Sequence, residues 1–292
     1  MTLQNHIVVP VDFSEQSIIA LGQTYNLARI TGSDITLVYV IDSTLLSNVM
    51  NLFTSHETQE SLLRTGIQTE LDKLAVEAFT NSGISIKTRI EKGKIYEEIV
   101  KVAEELSAAF IIMGTSGEST IKKKFIGSNA VRVINEAHCP VITIKGKEHR
   151  KGCKTIVLPL DFRRETKEKV VKCIEIARFF SSAVKVISVI DTSDEFLVNK
   201  LTRQMDQVTE FISSHQLKVT GELVHGKDIA EEILIYAKKS EADLIMIMTQ
   251  QELIWTEYFI GTASQEIINN SEIPVCSIRP IERKDTMEFT IS

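Results

Sequence analysis

Two α/β domains in tandem, each a five-stranded, mainly parallel sheet with helices on both faces, are what the sequence predicts. Three observations carry the prediction. Short β-branched runs alternate with stretches of helical apolar period, the pattern of βαβ units. The whole programme starts afresh near Lys154. The length, 292 residues, is long for one domain and natural for two of about 150 residues.

Taken in order, Ile7-Val8-Val9-Pro10-Val11-Asp12-Phe13 is a strand ending at an acidic residue. Ser14 stands as N-cap before a helix whose apolar stripe runs through Ile18, Leu21, Tyr25 and Leu27. Ile35 to Ile41 is the second strand, closed by Asp42-Ser43. Residues 44 to 58 carry enough apolar side chains for a short helix or a covering loop. A long amphipathic helix is expected from about Gln59 to Asn81, ended by Gly83. Ile84 to Ile90 is strand three, and Gly93-Lys94 turns into a helix reaching about Leu106. Phe110-Ile111-Ile112-Met113 is strand four, a helix follows from about Ala130 to Asn135, and Pro140 to Ile144 is strand five.

From Lys154 the same features return. Val157-Leu158-Pro159-Leu160-Asp161-Phe162 echoes Val8 to Phe13, Gly226-Lys227 echoes Gly93-Lys94, Phe259-Ile260-Gly261-Thr262 echoes Phe125-Ile126-Gly127-Ser128, and Ile273-Pro274-Val275 echoes Cys139-Pro140-Val141. The expected domains are therefore 1–146 and 153–281, joined by a polar linker and followed by a tail, 282–292.

Composition narrows the function. With 43% apolar and 25% charged residues, the chain is globular rather than disordered. A formal charge of −6 argues against a dedicated nucleic-acid binder, which needs a basic face. No apolar run approaches a membrane span, and Met1 to His6 lack signal-peptide architecture, so a cytoplasmic protein is expected. The cysteines at 139, 153, 173 and 276 are widely separated, without C-x-x-C spacing or a histidine at ligand distance, so no metal site is expected.

The stretch from Met113 to Asn129 carries the chemistry. Gly114, Gly117 and Gly127 punctuate a strand-loop-helix, and Ser128 follows the last of them. Any one of these glycines alone is ordinary turn punctuation. Three together, ahead of a helix whose first amides lack acceptors, make a phosphate cradle. No Gly-Lys-Ser/Thr closes the loop, and the spacing is not that of the dinucleotide fingerprint. Lys122 to Lys124 read as a solvated face rather than a clamp. Ungapped alignment of the repeats puts Met248 opposite Gly114 and Gln251 opposite Gly117, with Trp255 and Tyr258 in the second loop. The first site is thus expected to be intact and the second weakened or lost.

These residues resemble the universal stress protein family, whose nucleotide-binding members carry Gly-x2-Gly-x9-Gly-Ser/Thr. The resemblance spans Pro10-Val11-Asp12-Phe13-Ser14, Tyr39-Val40-Ile41-Asp42, the glycine motif and the Pro140-Val141 strand, with the second copy departing from the glycine pattern. It implies flavodoxin-like or Rossmann-like domains that bind ATP, with or without Mg2+, and pair within the chain, a homodimer being a further option. It places Pro10, Val11 and Asp12 beside the adenosine, and the Val40 backbone at the adenine edge. Met113 and Gly114 border the ribose and adenine, Gly117 gives room to the phosphates, and Gly127, Ser128 and Asn129 hold them. The role implied is that of a regulator in the stress response, not an enzyme. Two alternatives remain open: a nucleotide-independent scaffold or carrier of a small apolar ligand, and a slow ATPase, for which no P-loop lysine or water-orienting residue is evident.

Overall fold

The structure, a computed structural model, describes residues 6–43, 56–115, 126–146, 152–161, 166–251, 258–259 and 262–280. The chain divides into two compact units, Met1–His149 and Arg150–Ser292.

In the first unit the order is β1 (His6–Pro10), α1 (Glu15–Thr31), β2 (Asp34–Asp42), α2 (His56–Ser82), β3 (Ile86–Gly93), α3 (Ile95–Glu105), β4 (Phe110–Gly114), α4 (Ser128–Glu136) and β5 (Val141–Ile144). The strands lie in the order β3-β2-β1-β4-β5, and every pair is parallel. Right-handed crossovers then set α1 and α2 on one face and α3 and α4 on the other. The helix contacts agree, α1 meeting α2 and α3 meeting α4. The central strands are covered on both faces, and Ile7, Val8, Val9, Phe110, Ile111 and Ile112 have no exposed surface. That is why they read as unbroken apolar runs, whereas the edge strand β3 alternates.

Helix α1 begins as its sequence dictates. The Ser14 hydroxyl accepts from the Ser17 amide at 3.3 Å, and Gly32 closes the helix with φ of 67°, a conformation only glycine takes without strain. At the other end of the sheet, His6 Nε2 lies 2.8 Å from Thr36 Oγ1. Burial holds the His6 ring below its ordinary pKa, against the pull of Asp34 and with some help from Lys87. A pKa lowered on folding means that the unfolded chain binds the proton more readily, so stability rises with pH. His6 therefore contributes fully above about pH 6.5, the ordinary histidine pKa, and that contribution is lost as pH falls towards the lowered value. Thermal unfolding measured down to pH 5 should fall less steeply in His6→Gln than in the parent, and an unchanged slope would refute the assignment.

The second unit repeats the plan as β6 (Thr155–Pro159), α5 (Thr166–Phe180), β7 (Ala183–Ile190), α6 (Glu195–Ser214), β8 (Val219–His225), α7 (Ile229–Lys239) and β9 (Leu244–Met248). It continues with β10 (Gln250–Gln251), β11 (Tyr258–Phe259), α8 (Thr262–Asn270) and β12 (Val275–Ile278). Its strands lie in the order β8-β7-β6-β9-β12, all parallel. The pairing His6↔Asp34 recurs as Thr155↔Ala183, and Gly114↔Ile144 recurs as Met248↔Ile278. Between β9 and α8, β10 and β11 form an antiparallel pair.

Cys153, Cys173 and Cys276 are buried and Cys139 is half-buried, and none of the four is in a disulfide. Burial pushes the Cys173 and Cys139 thiols up to about 12, which leaves them protonated and unreactive at neutral pH. Among the described residues there is no group of three His, Cys, Asp or Glu that could hold a metal, and no helix is long and apolar enough to cross a membrane.

Candidate functional site

Strand β1 lies between β2, which follows it in the chain, and β4, on the other side, so the topology reverses at the boundary of β1 and β4. In open α/β sheets the crevice above such a reversal is where ligands bind. The ladder between these strands is short, Ile7↔Phe110 and Val8↔Ile111 only. Pro10 has no N–H with which to extend it.

On the other side of β1, the last bond to β2 runs from the Val11 amide to the Val38 carbonyl at 2.9 Å. The chain then leaves the sheet. The Asp12 amide turns to the Ser17 hydroxyl at 3.4 Å, and Phe13 takes φ of 61° on the way into α1. Strand β2 continues to Asp42. Residues two apart in a strand direct their N–H and C=O to the same side, so Val40 faces the place that β1 has vacated. Neither its amide nor its carbonyl has a partner among the described residues. The early end of β1 thus leaves one donor and one acceptor open, side by side.

Asp12 stands at the head of the same crevice and is exposed. Its Oδ1 accepts from the Ser14 amide at 3.1 Å and from the Ser14 hydroxyl at 2.5 Å. Its Oδ2 has no partner among the described residues. One oxygen supports the turn, and the other is open to a ligand. Phe13 stacks on Tyr39 with ring centroids 5.1 Å apart and planes at 26°, bracing the end of β2 beside Val40.

The third component is the start of α4. The Gly127 amide donates to the Thr115 carbonyl at 2.6 Å, and the Thr115 amide to the Ile144 carbonyl at 3.2 Å. These bonds hold the N-terminus of α4 against the ends of β4 and β5. Gly127 is the N-cap and offers no side chain. The first bond within the helix is from Val131 to Gly127 at 3.1 Å. The amides of Ser128, Asn129 and Ala130 are consequently without acceptors among the described residues, at the positive end of the helix dipole.

Most of the residues expected from the sequence converge here. Pro10, Val11, Asp12, Met113, Gly114, Gly127, Ser128 and Asn129 sit at the carboxyl ends of β1 and β4 or at the start of α4, and Val40 lies near the end of β2. Gly117, Lys122 to Lys124, Trp255 and Gly261 lie outside the described residues. Gly114 is at the expected place, and its missing side chain also serves packing. A Cβ there would stand 2.9 Å from Gln16 Cγ and 3.0 Å from the Gln16 backbone carbon and oxygen. The missing side chain makes room for the first turn of α1, which Gln16 fastens to the sheet by donating to the Ile144 carbonyl at 2.9 Å. Gln16, Thr115 and Ala130 were not singled out from the sequence. Their roles depend on where a side-chain amide or a backbone group comes to rest, which residue type does not signal.

In the second unit Met248 occupies the register position of Gly114 and is 7% exposed.

Known proteins share this fold. The sequence profile of the universal stress protein family matches residues 4–145 and again 152–279. A universal stress protein of Methanocaldococcus jannaschii is 34% identical over 145 residues, covering 49% of this chain and 83% of that protein. A solved universal stress protein from Archaeoglobus fulgidus has the same fold over 95% of this chain and 97% of its own, with a TM-score of 0.71 at 19% identity. Another from that organism, 20% identical over 43% of this chain and 96% of its own with a TM-score of 0.35, was solved in complex with dAMP. With two consecutive matches that together span nearly its whole length, the chain belongs to the universal stress protein family.

Proposed function

We propose that the first unit binds an adenine nucleotide, ATP with or without Mg2+, and that nucleotide occupancy is the signal this protein carries in a cytoplasmic stress response. The observation that carries the reading is the pair of open backbone groups on Val40. An adenine edge presents a ring-nitrogen acceptor next to an amino donor, the complement of one residue's N–H and C=O. Val40 is half-buried, and a ligand that supplies both partners gains about 0.5–1.5 kcal/mol from each hydrogen bond.

The remaining groups suit the rest of such a ligand. The open Oδ2 of Asp12 is an acceptor for a ribose hydroxyl. The amides of Ser128, Asn129 and Ala130, with the helix dipole behind them, suit phosphate oxygens. Membership of the universal stress protein family favours the same reading. The chain is read as a holder of nucleotide, with no side chain among these placed to activate a water.

Isothermal titration of the full-length chain with ATP tests the proposal. Saturable micromolar binding is expected, with bound nucleotide recovered as ATP after incubation. Absence of binding would overturn the reading. Steady turnover above about one per second, an ordinary catalytic rate, would replace it with an enzyme.

A further inference from the structure

The second unit keeps the backbone of the first site and changes what stands on it. Leu160 donates to the Ile187 carbonyl at 2.8 Å, as Val11 does to Val38. Val189 occupies the place of Val40, and Asp161 that of Asp12. Since the Leu160 amide points towards β7, the carbonyl of the preceding residue, Pro159, points the other way, towards β9. The ladder between β6 and β9 has already ended there, at Ile156↔Leu244 and Val157↔Ile245. The Pro159 carbonyl therefore opens into the second switch-point crevice.

A lysine is bound to it. Lys169, on the first turn of α5, donates from Nζ to the Pro159 carbonyl at 2.5 Å. The register that carries His6↔Asp34 onto Thr155↔Ala183 carries Ala20 onto Lys169. Ala20 has no exposed surface, and Lys169 is half-buried. A lysine there has to run its four-carbon stem along the strand ends before its ammonium can reach a polar partner. The burial of the prolines follows: Pro10 is half-buried, and Pro159 is buried. Met248 adds a long apolar side chain at the register position where the first unit has only Gly114.

We infer that Lys169, with Met248 at the end of β9, fills the second crevice from within and restricts nucleotide to the first unit, one per chain. The second unit keeps its sheet ends and loses the volume above them. Lys169 is thus the residue that decides which of two similar domains takes the ligand. The inference rests on the reading of the first unit as a nucleotide site, and two measurements separate the fates of the two claims.

The first is the number of ATP molecules bound per full-length chain, by titration against chain concentration. One is expected for the parent. Two are expected for Lys169→Ala with Met248→Gly, which restore the residues of the first unit. A parent that binds two, or a folded double variant that still binds one, overturns the inference. The second needs no nucleotide. Lys169→Ala should leave a channel the length of a lysine side chain, ending at the Pro159 carbonyl. Thermal unfolding of that variant should shift upwards in n-butylammonium chloride relative to sodium chloride of equal strength, and the parent should not shift. If the parent binds no ATP, the proposed function fails and this second measurement decides alone. A selective upward shift then supports the occupied crevice, and none overturns it.

Discussion

Replacing Gly114 by alanine should lower the unfolding temperature of the first unit by several degrees. The added Cβ would lie 2.9 Å from Gln16 Cγ and 3.0 Å from the Gln16 backbone carbon and oxygen, closer than non-bonded carbon atoms tolerate. Overpacking of this kind costs about 1–3 kcal/mol, and each kcal/mol moves the midpoint by about 2–4 °C in a domain of this size. Two of the three close atoms belong to the backbone, so trimming the side chain in Gln16→Ala should not rescue the variant. Calorimetry on the single and double variants checks both statements. A variant that keeps its midpoint but loses ATP would show instead that the glycine serves the ligand directly, as its place in a glycine motif first suggests.

Replacing Val40 by proline should weaken ATP binding about tenfold, the worth of one lost hydrogen bond near the upper end of the usual range, while leaving the sheet in place. The Val40 amide has no partner among the described residues, so proline removes no bond from the ladder. The pairing with β3 at this point, Val40↔Glu91, runs through the amides and carbonyls of the other residues. Val40→Ala is the counterpart: it trims the side chain, keeps the N–H, and should leave affinity nearly unchanged. Titration with ATP compares the two. Equal losses in both variants would mean that the side chain matters rather than the backbone, and would remove the adenine-edge argument.

Much of this architecture is legible in the sequence, for reasons that belong to particular residues. Unbroken apolar runs such as Phe110 to Met113 announce strands covered on both faces. Ser14 announces the start of α1, because a hydroxyl cap has few substitutes. The boundaries that moved are those where one element passes into the next without such a signal. Strand β3 runs on to Gly93, beyond the expected end at Ile90, because pairing with β2 as far as Asp42 holds it in the sheet.

The site divides along the same line. Gly127 and Ser128 could be placed from spacing, since a helix start after a glycine has free amides wherever it occurs. The meaning of Gly114 could not, because Gln16 is remote from it in the chain and meets it only when α1 packs on β4. Lys169 was within reach: aligning the repeats sets it against Ala20. What could not be read was that its ammonium returns to the Pro159 carbonyl rather than pointing into solvent.

The sequence by itself determined the duplicated α/β plan, the helix caps and the place where α4 starts after a glycine, because these follow from periodicity, residue type and short-range spacing along one stretch of chain. Only the tertiary structure decided which backbone groups are left open at Val40, why Gly114 carries no side chain, and what fills the second crevice. Each of those depends on where a strand stops relative to its neighbour or where a long side chain ends. Such outcomes are set by contacts between segments far apart in sequence, and no local pattern encodes them.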